Sequence, residues 1–187
     1  MYQTRRHLLT AVATLAGGAV MQSTAAHAAS ARTINQDADV ALRSLYAAQP
    51  KAHQLSTRAK AILIFPKIIK AGLLIGGQGG DGALRIGNRT VGYYNIAAAS
   101  FGLQAGAQTF SYALFFMTDA ALKYLQDSNG WSIGAGPTVV VVDKGVAAGL
   151  TSTTATQDVY AFPFGQRGLM AGISLEGSKI TRITPRA

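Results

Sequence analysis

Ile34, Ala38, Ala41, Leu45 and Ala48 recur at intervals of three and four residues and stop at Pro50, the spacing that lines one stripe of an α-helix. Val40, Leu42 and Tyr46 widen the stripe. Thr33-Ile34-Asn35-Gln36 has the form of a capping box, with Thr33 as N-cap and Gln36 three residues on. A second, shorter helix is predicted over residues 53–59. The polar side of the first helix sets Arg43 against Asp37 and Asp39. A helix lying in a membrane interface has a basic polar face, so the pattern favours docking on a protein core.

After Lys60 the rhythm changes. Residues 61–65 are a compact apolar run ended by Pro66, and residues 68–75 are another. The glycine-rich stretch 76–82 is predicted as a loop, 83–86 as a strand, Gly87-Asn88 as a turn and 90–96 as the returning strand of a hairpin. Phe101, Leu103, Ala105 and Ala107 alternate with Gly102, Gln104, Gly106 and Gln108, a period of two. Residues 112–117 form a strongly apolar strand, and Thr118-Asp119 opens a short helix that Asn129-Gly130 stops. Strands are predicted at 131–135, 138–142, 159–164, 168–175 and 179–183, with an exposed loop over 147–157. The sum is an α+β fold, N-terminal helices packed on a strongly curved antiparallel β-sheet in a sandwich or small barrel. The 21 glycines lie mostly in or beside strands, where they permit bulges and corners.

The first residues read differently. Arg5-Arg6, an apolar stretch from Leu8 to Val20 and Ala26-His27-Ala28 form a secretory signal, so residues 1–28 are expected to be cleaved and residues 29–187 to be one domain. Paired arginines before Leu8-Leu9 also resemble a twin-arginine signal, which leaves the export route open. The expected location is exported, periplasmic or secreted, peripheral to the envelope membrane. The chain has no cysteine, which excludes disulfides, thiolate nucleophiles and a lipoprotein anchor. Taking Arg5 and Arg6 from the 17 basic residues leaves 15 against 8 acidic ones, a net charge of +7. Such an excess suits phospholipid headgroups, lipopolysaccharide phosphates or acidic polymers. In this compartment nucleic acid is the least expected partner.

Enzymatic motifs fail on context. Gly77-Gln78-Gly79-Gly80-Asp81-Gly82 has G-x-G-x-x-G spacing, but a dinucleotide loop needs a helix directly after it, and strand and turn signals follow here. His53 is the one imidazole left after signal removal, too few for a His-based metal site, and no G-x-S-x-G accompanies it. A hydrolase using Asp or Glu176 stays a minor option. No enzyme, cofactor or metal is expected. A transmembrane β-barrel fits poorly, because glycine- and alanine-rich faces make poor lipid-facing surfaces.

The window from Lys51 to Lys70 holds Lys51, Arg58, Lys60, Lys67 and Lys70 and no acid. Cations beside apolar residues suit an anionic membrane interface, at about 1 kcal/mol per lysine or arginine. The same run fits a solvated rim on an ordinary core strand.

Ala59-Lys60-Ala61-Ile62-Leu63-Ile64-Phe65-Pro66, Ser100-Phe101-Gly102-Leu103-Gln104-Ala105-Gly106 and Gly168-Leu169-Met170-Ala171-Gly172-Ile173-Ser174-Leu175-Glu176-Gly177 closely resemble the opening, central and closing blocks of SYLF domains. The resemblance runs from about Thr33 to Ile183. It implies phospholipid binding. Eukaryotic members bind phosphoinositides and some bundle actin; bacterial members are exported. Actin is not expected in a periplasm, nor are the SH3 or FYVE domains that accompany eukaryotic members expected here. The reading that follows is a non-enzymatic binder of anionic phospholipid headgroups, with Lys67 and Lys70 on phosphates, Arg58 and Lys60 adding field, and Ile68 and Ile69 inserting shallowly. The alternative is a structural or protein/glycan-interaction module of the envelope.

Overall fold

The computed structural model describes residues 29–72, 75–101, 106–142, 146, 149–150, 156–168, 175 and 177–186. The expected signal, much of the 147–157 loop and most of the 168–175 strand lie outside the described residues. Two helices, α1 (Ala31–Ala48) and α2 (Pro50–Ser56), precede four long strands, β1 (Ala61–Gly72), β2 (Ile75–Ile86), β3 (Arg89–Phe101) and β4 (Gly106–Phe116). Helix α3 (Asp119–Asp127) and strands β5 (Trp131–Ser132), β6 (Val139–Val141), β7 (Val159–Gly168) and β8 (Lys179–Ile183) follow. The strands form one sheet in the order β5-β8-β3-β2-β1-β4-β7-β6. The fold is α+β, its sheet strongly curled into a half-barrel. Its pairs are antiparallel except β6 with β7, which run parallel, so the sheet is mixed.

The curl is measurable. Phe116 on β4 and Trp131 on β5 are five strand positions apart, which a flat sheet would hold about 24 Å apart. Their ring centroids are 5.9 Å apart. The face carrying them is therefore concave. It buries Leu63, Phe65, Ile68, Leu84, Ile96 and Phe110 in one core with Leu125 of α3. The convex face buries Ile64, Ala83, Phe115, Phe162 and Phe164 under the apolar stripe of α1.

Helix α1 docks as its stripe requires, with Ile34, Ala38, Ala41 and Leu45 buried, while Val40 stays 59% exposed and Ala48 lies at the surface. Polar groups clamp the docking. Arg85 pairs with Asp39 at 2.7 Å, and Asn35 donates to the Tyr93 hydroxyl at 2.8 Å. The N-cap is Ser30 rather than Thr33: the Ser30 hydroxyl accepts the Thr33 amide, and the helix starts three residues earlier than expected. Helix α2 also starts early, at Pro50. Proline's fixed φ and missing N–H suit a first helical turn as well as they stop the turn before.

Two expectations about the sheet fail for one reason. Pro66 does not end a strand, and residues 76–82 are not a loop: both lie inside long paired strands. On β1 three steps from Phe65 to Ile68 face two on β4, from Tyr112 to Phe110, so the strand bulges at Pro66-Lys67. Proline is tolerated there because the ladder is already broken. The bulge pushes β1 backbone toward β2. A β-carbon at Gly82 would collide with the Ile64 carbonyl oxygen and come within 2.6 Å of the Phe65 ring. Glycine there makes room for the neighbouring strand.

Candidate functional site

Strand alternation decides where the basic window goes. Beyond the bulge Ile68 faces the concave core and is fully buried, so it cannot insert into a membrane as expected. Lys70 follows on the same face and is 7% exposed, flanked by its cross-strand partners Gln78 and Gln108. Gln78 donates to the buried Ser178 hydroxyl at 3.1 Å. Lys70 thus belongs to an interior polar layer, and its expected contact with a surface phosphate is corrected. Two steps along the same face of β4, burial pushes the Tyr112 phenol well above its ordinary pKa.

Lys60 and Arg58 are exposed but stand elsewhere. Lys60 precedes β1 and pairs with Asp119 of α3 at 3.1 Å. Nine residue steps along β1 separate it from Ile69, about 30 Å. Arg58 follows α2 and lines a groove of about 570 Å³ with Lys51 and His53. His53 is exposed and its ring lies 4.9 Å from Tyr46.

Lys67 and Ile69 point the other way, onto the convex face. Thr109 on β4 lies between Ile69 on β1 and Arg167 on β7 as the cross-strand partner of both. Lys67 and Arg167 are exposed, and neither has an ion-pair or hydrogen-bond partner among the described residues. They flank a groove of about 310 Å³ along the side of α1, lined also by Asp37, Val40, Ser44 and Pro66. The bulge shapes it: the Ser111 hydroxyl donates to the Pro66 carbonyl oxygen at 2.7 Å and secures the backbone behind Lys67.

Past this groove no helix among the described residues covers the sheet. Ile69 is 50% exposed and Ile75 71% exposed, standing out from a floor of exposed Ala71, Gly77, Ala97, Ala99 and Ala107. Register puts all of them on the convex face. The sequence reading missed Arg167 and Ile75. Arg167 lies about 100 residues from Lys67, and only strand pairing through β4 brings them together. Ile75 closes the apolar 68–75 run in the sequence, but it opens β2, and the register of β2 with β1 and β3 puts it on the same face as Ile69.

Among comparisons with known proteins, residues 97–184 match the family model Ysc84, described as "Las17-binding protein actin regulator". Thr109 and Arg167 fall within the match, and Lys67, Ile69 and Ile75 precede it. No curated protein matches the chain.

Proposed function

Residues 97–184 belong to the SYLF domain family, a lipid-binding family that is not a known enzyme family, and on that premise we propose that this chain is a non-enzymatic, peripheral binder of anionic phospholipid surfaces. The export signal expected over residues 1–28 supports a site of action at the cell envelope, where phosphatidylglycerol and lipopolysaccharide supply phosphate. One observation carries the reading: a stretch of convex sheet face that no described residue covers, with Ile69 and Ile75 standing out of it and, at its border, Lys67 and Arg167 without an ion-pair partner among the described residues. Apolar tips beside cations partition into a headgroup layer by combining buried area with attraction to anionic lipid.

Cosedimentation with vesicles tests it. The protein should pellet with phosphatidylglycerol vesicles and stay in solution with phosphatidylcholine, and added salt should weaken the binding as screening shortens the reach of the cations. Lys67→Gln with Arg167→Gln removes two surface cations, about 2 kcal/mol or roughly thirtyfold in partitioning. Unchanged binding by that variant would refute the site. Indifference of the wild type to vesicle charge would refute lipid binding and favour the second reading, a protein- or glycan-docking module, which the matched family's description as a Las17-binding protein supports.

A further inference from the structure

The groove beside the bare face is not uniformly cationic. Lys67 and Arg167 lie on its sheet side, and Asp37 of α1 reaches it from the helix side. Among the described residues Asp37 pairs with neither cation, nor with any other group. Asp39, two residues on, is by contrast used up by Arg85. The groove therefore offers two cations and one carboxylate, kept out of ion-pairing distance of each other, with the Ser44, Thr109 and Ser111 side chains among its lining. Its volume of about 310 Å³ is that of about ten waters at ~30 Å³ each, the scale of a lipid headgroup.

We infer that this groove is a headgroup subsite selecting a phosphodiester that also carries hydrogen-bond donors, with phosphate on Lys67 and Arg167 and a headgroup hydroxyl donating to Asp37. The inference rests on the lipid-binding reading above and adds the discrimination. Two cations less one carboxylate leave a single positive charge, which complements the single negative charge of a phosphodiester. A carboxylate accepts hydrogen bonds only. Asp37 therefore rewards a headgroup that ends in hydroxyls and leaves one without donors facing an unmatched anion. Among anionic lipids this favours phosphatidylglycerol over an otherwise identical phosphodiester capped by a methyl group. It also gives the groove a role separate from the bare face, which has no means of telling two equally charged lipids apart.

Phosphatidylglycerol and phosphatidylmethanol vesicles with the same acyl chains and the same surface charge isolate the effect. The wild type should partition more strongly onto phosphatidylglycerol, by about tenfold for one hydrogen bond to a charged acceptor. Asp37→Ala should bring the ratio to near one by lowering phosphatidylglycerol binding, while binding to phosphatidylmethanol holds or rises because an opposing charge has gone. The residue is exposed and unpaired, so the melting temperature should not move. Equal wild-type binding to both lipids, or a preference that survives Asp37→Ala, overturns the subsite and leaves the lipid-binding reading standing. Failure to bind either vesicle overturns the lipid-binding reading itself.

Discussion

Changing Ile75 to serine separates a membrane-inserting residue from a core one. Complete burial of an isoleucine side chain is worth about 1.5–3 kcal/mol. Ile75 is 71% exposed in the free protein, so most of that is still to be gained when the face meets lipid, about 1–2 kcal/mol. Ile75→Ser should therefore cut vesicle partitioning about tenfold. Ile69 is 50% exposed, and adding Ile69→Ser should bring the loss to roughly fiftyfold. The assay is partitioning onto phosphatidylglycerol vesicles at several salt concentrations, with a thermal melt of each variant. The apolar loss should be the same at every salt concentration, whereas Lys67→Gln with Arg167→Gln should lose most at low salt. Both serine variants should melt like the wild type. Ile68→Ser is the internal control. It places a hydroxyl in a fully buried site and should cost about 3–5 kcal/mol, lowering the melting temperature by roughly 10 °C. Unchanged partitioning by the Ile69→Ser/Ile75→Ser pair, or a melting loss as large as that of Ile68→Ser, would show that the convex face is covered in the free protein and is not the lipid surface.

Gly82→Ala should destabilise by about 2–3 kcal/mol in chemical denaturation, because the β-carbon meets the Ile64 carbonyl and the Phe65 ring, which the paired strands hold in place. Lys60→Gln breaks only an exposed pair with Asp119 and should leave both stability and vesicle binding within about twofold, a result that vesicle titration would check. The Tyr112 phenol is pushed up by burial and its hydroxyl lacks a hydrogen-bond partner among the described residues. Its folded-state pKa lies above the unfolded value of about 10, so its contribution to stability is full below that pH and is lost as pH rises beyond it. Tyr112→Phe should move the midpoint of alkaline unfolding upward and leave stability at neutral pH level or slightly higher.

Much of the architecture was legible because it rests on local periodicity. The stripe through Ile34, Ala38, Ala41 and Leu45 is the buried face of α1, Thr118 caps α3 as expected, and residues 179–183 form β8 as read. Failures cluster where a residue serves its neighbours across space. Gly76–Gly82 carries a loop's composition, yet all of it is paired with β3, Gly77 and Gly79 opposite alanines, and Gly80 and Gly82 make room for the bulge in β1. Nothing within that segment announces the strand that presses on it. The functional surface was legible in part. Lys67 and Ile69 lie on the convex face that we propose meets the membrane. Arg58 and Lys60 belong to other surfaces, and Arg167 joins only through the sheet register.

Which residues of the basic window reach solvent beyond Pro66 is decided by one irregularity. Continued alternation from Phe65, which faces the concave core, would have turned Ile68 and Lys70 onto the convex face and Lys67 and Ile69 inward. The extra residue at Pro66-Lys67 inverts that assignment for the rest of β1. Ile68 then extends the core beside Phe110, and Lys70 enters the polar layer with Gln78 and Gln108. Lys67 and Ile69 take the convex face beside Arg167. A sequence window supplies the cations, but the bulge chooses among them. The same bulge keeps Lys67 on the convex side at the border of α1, where the groove opens and where Asp37 reaches it. The exposed charge, the apolar tips and the proposed headgroup subsite therefore share a single structural cause. Relatives that keep the lysines and lose the bulge should lose the site along with it.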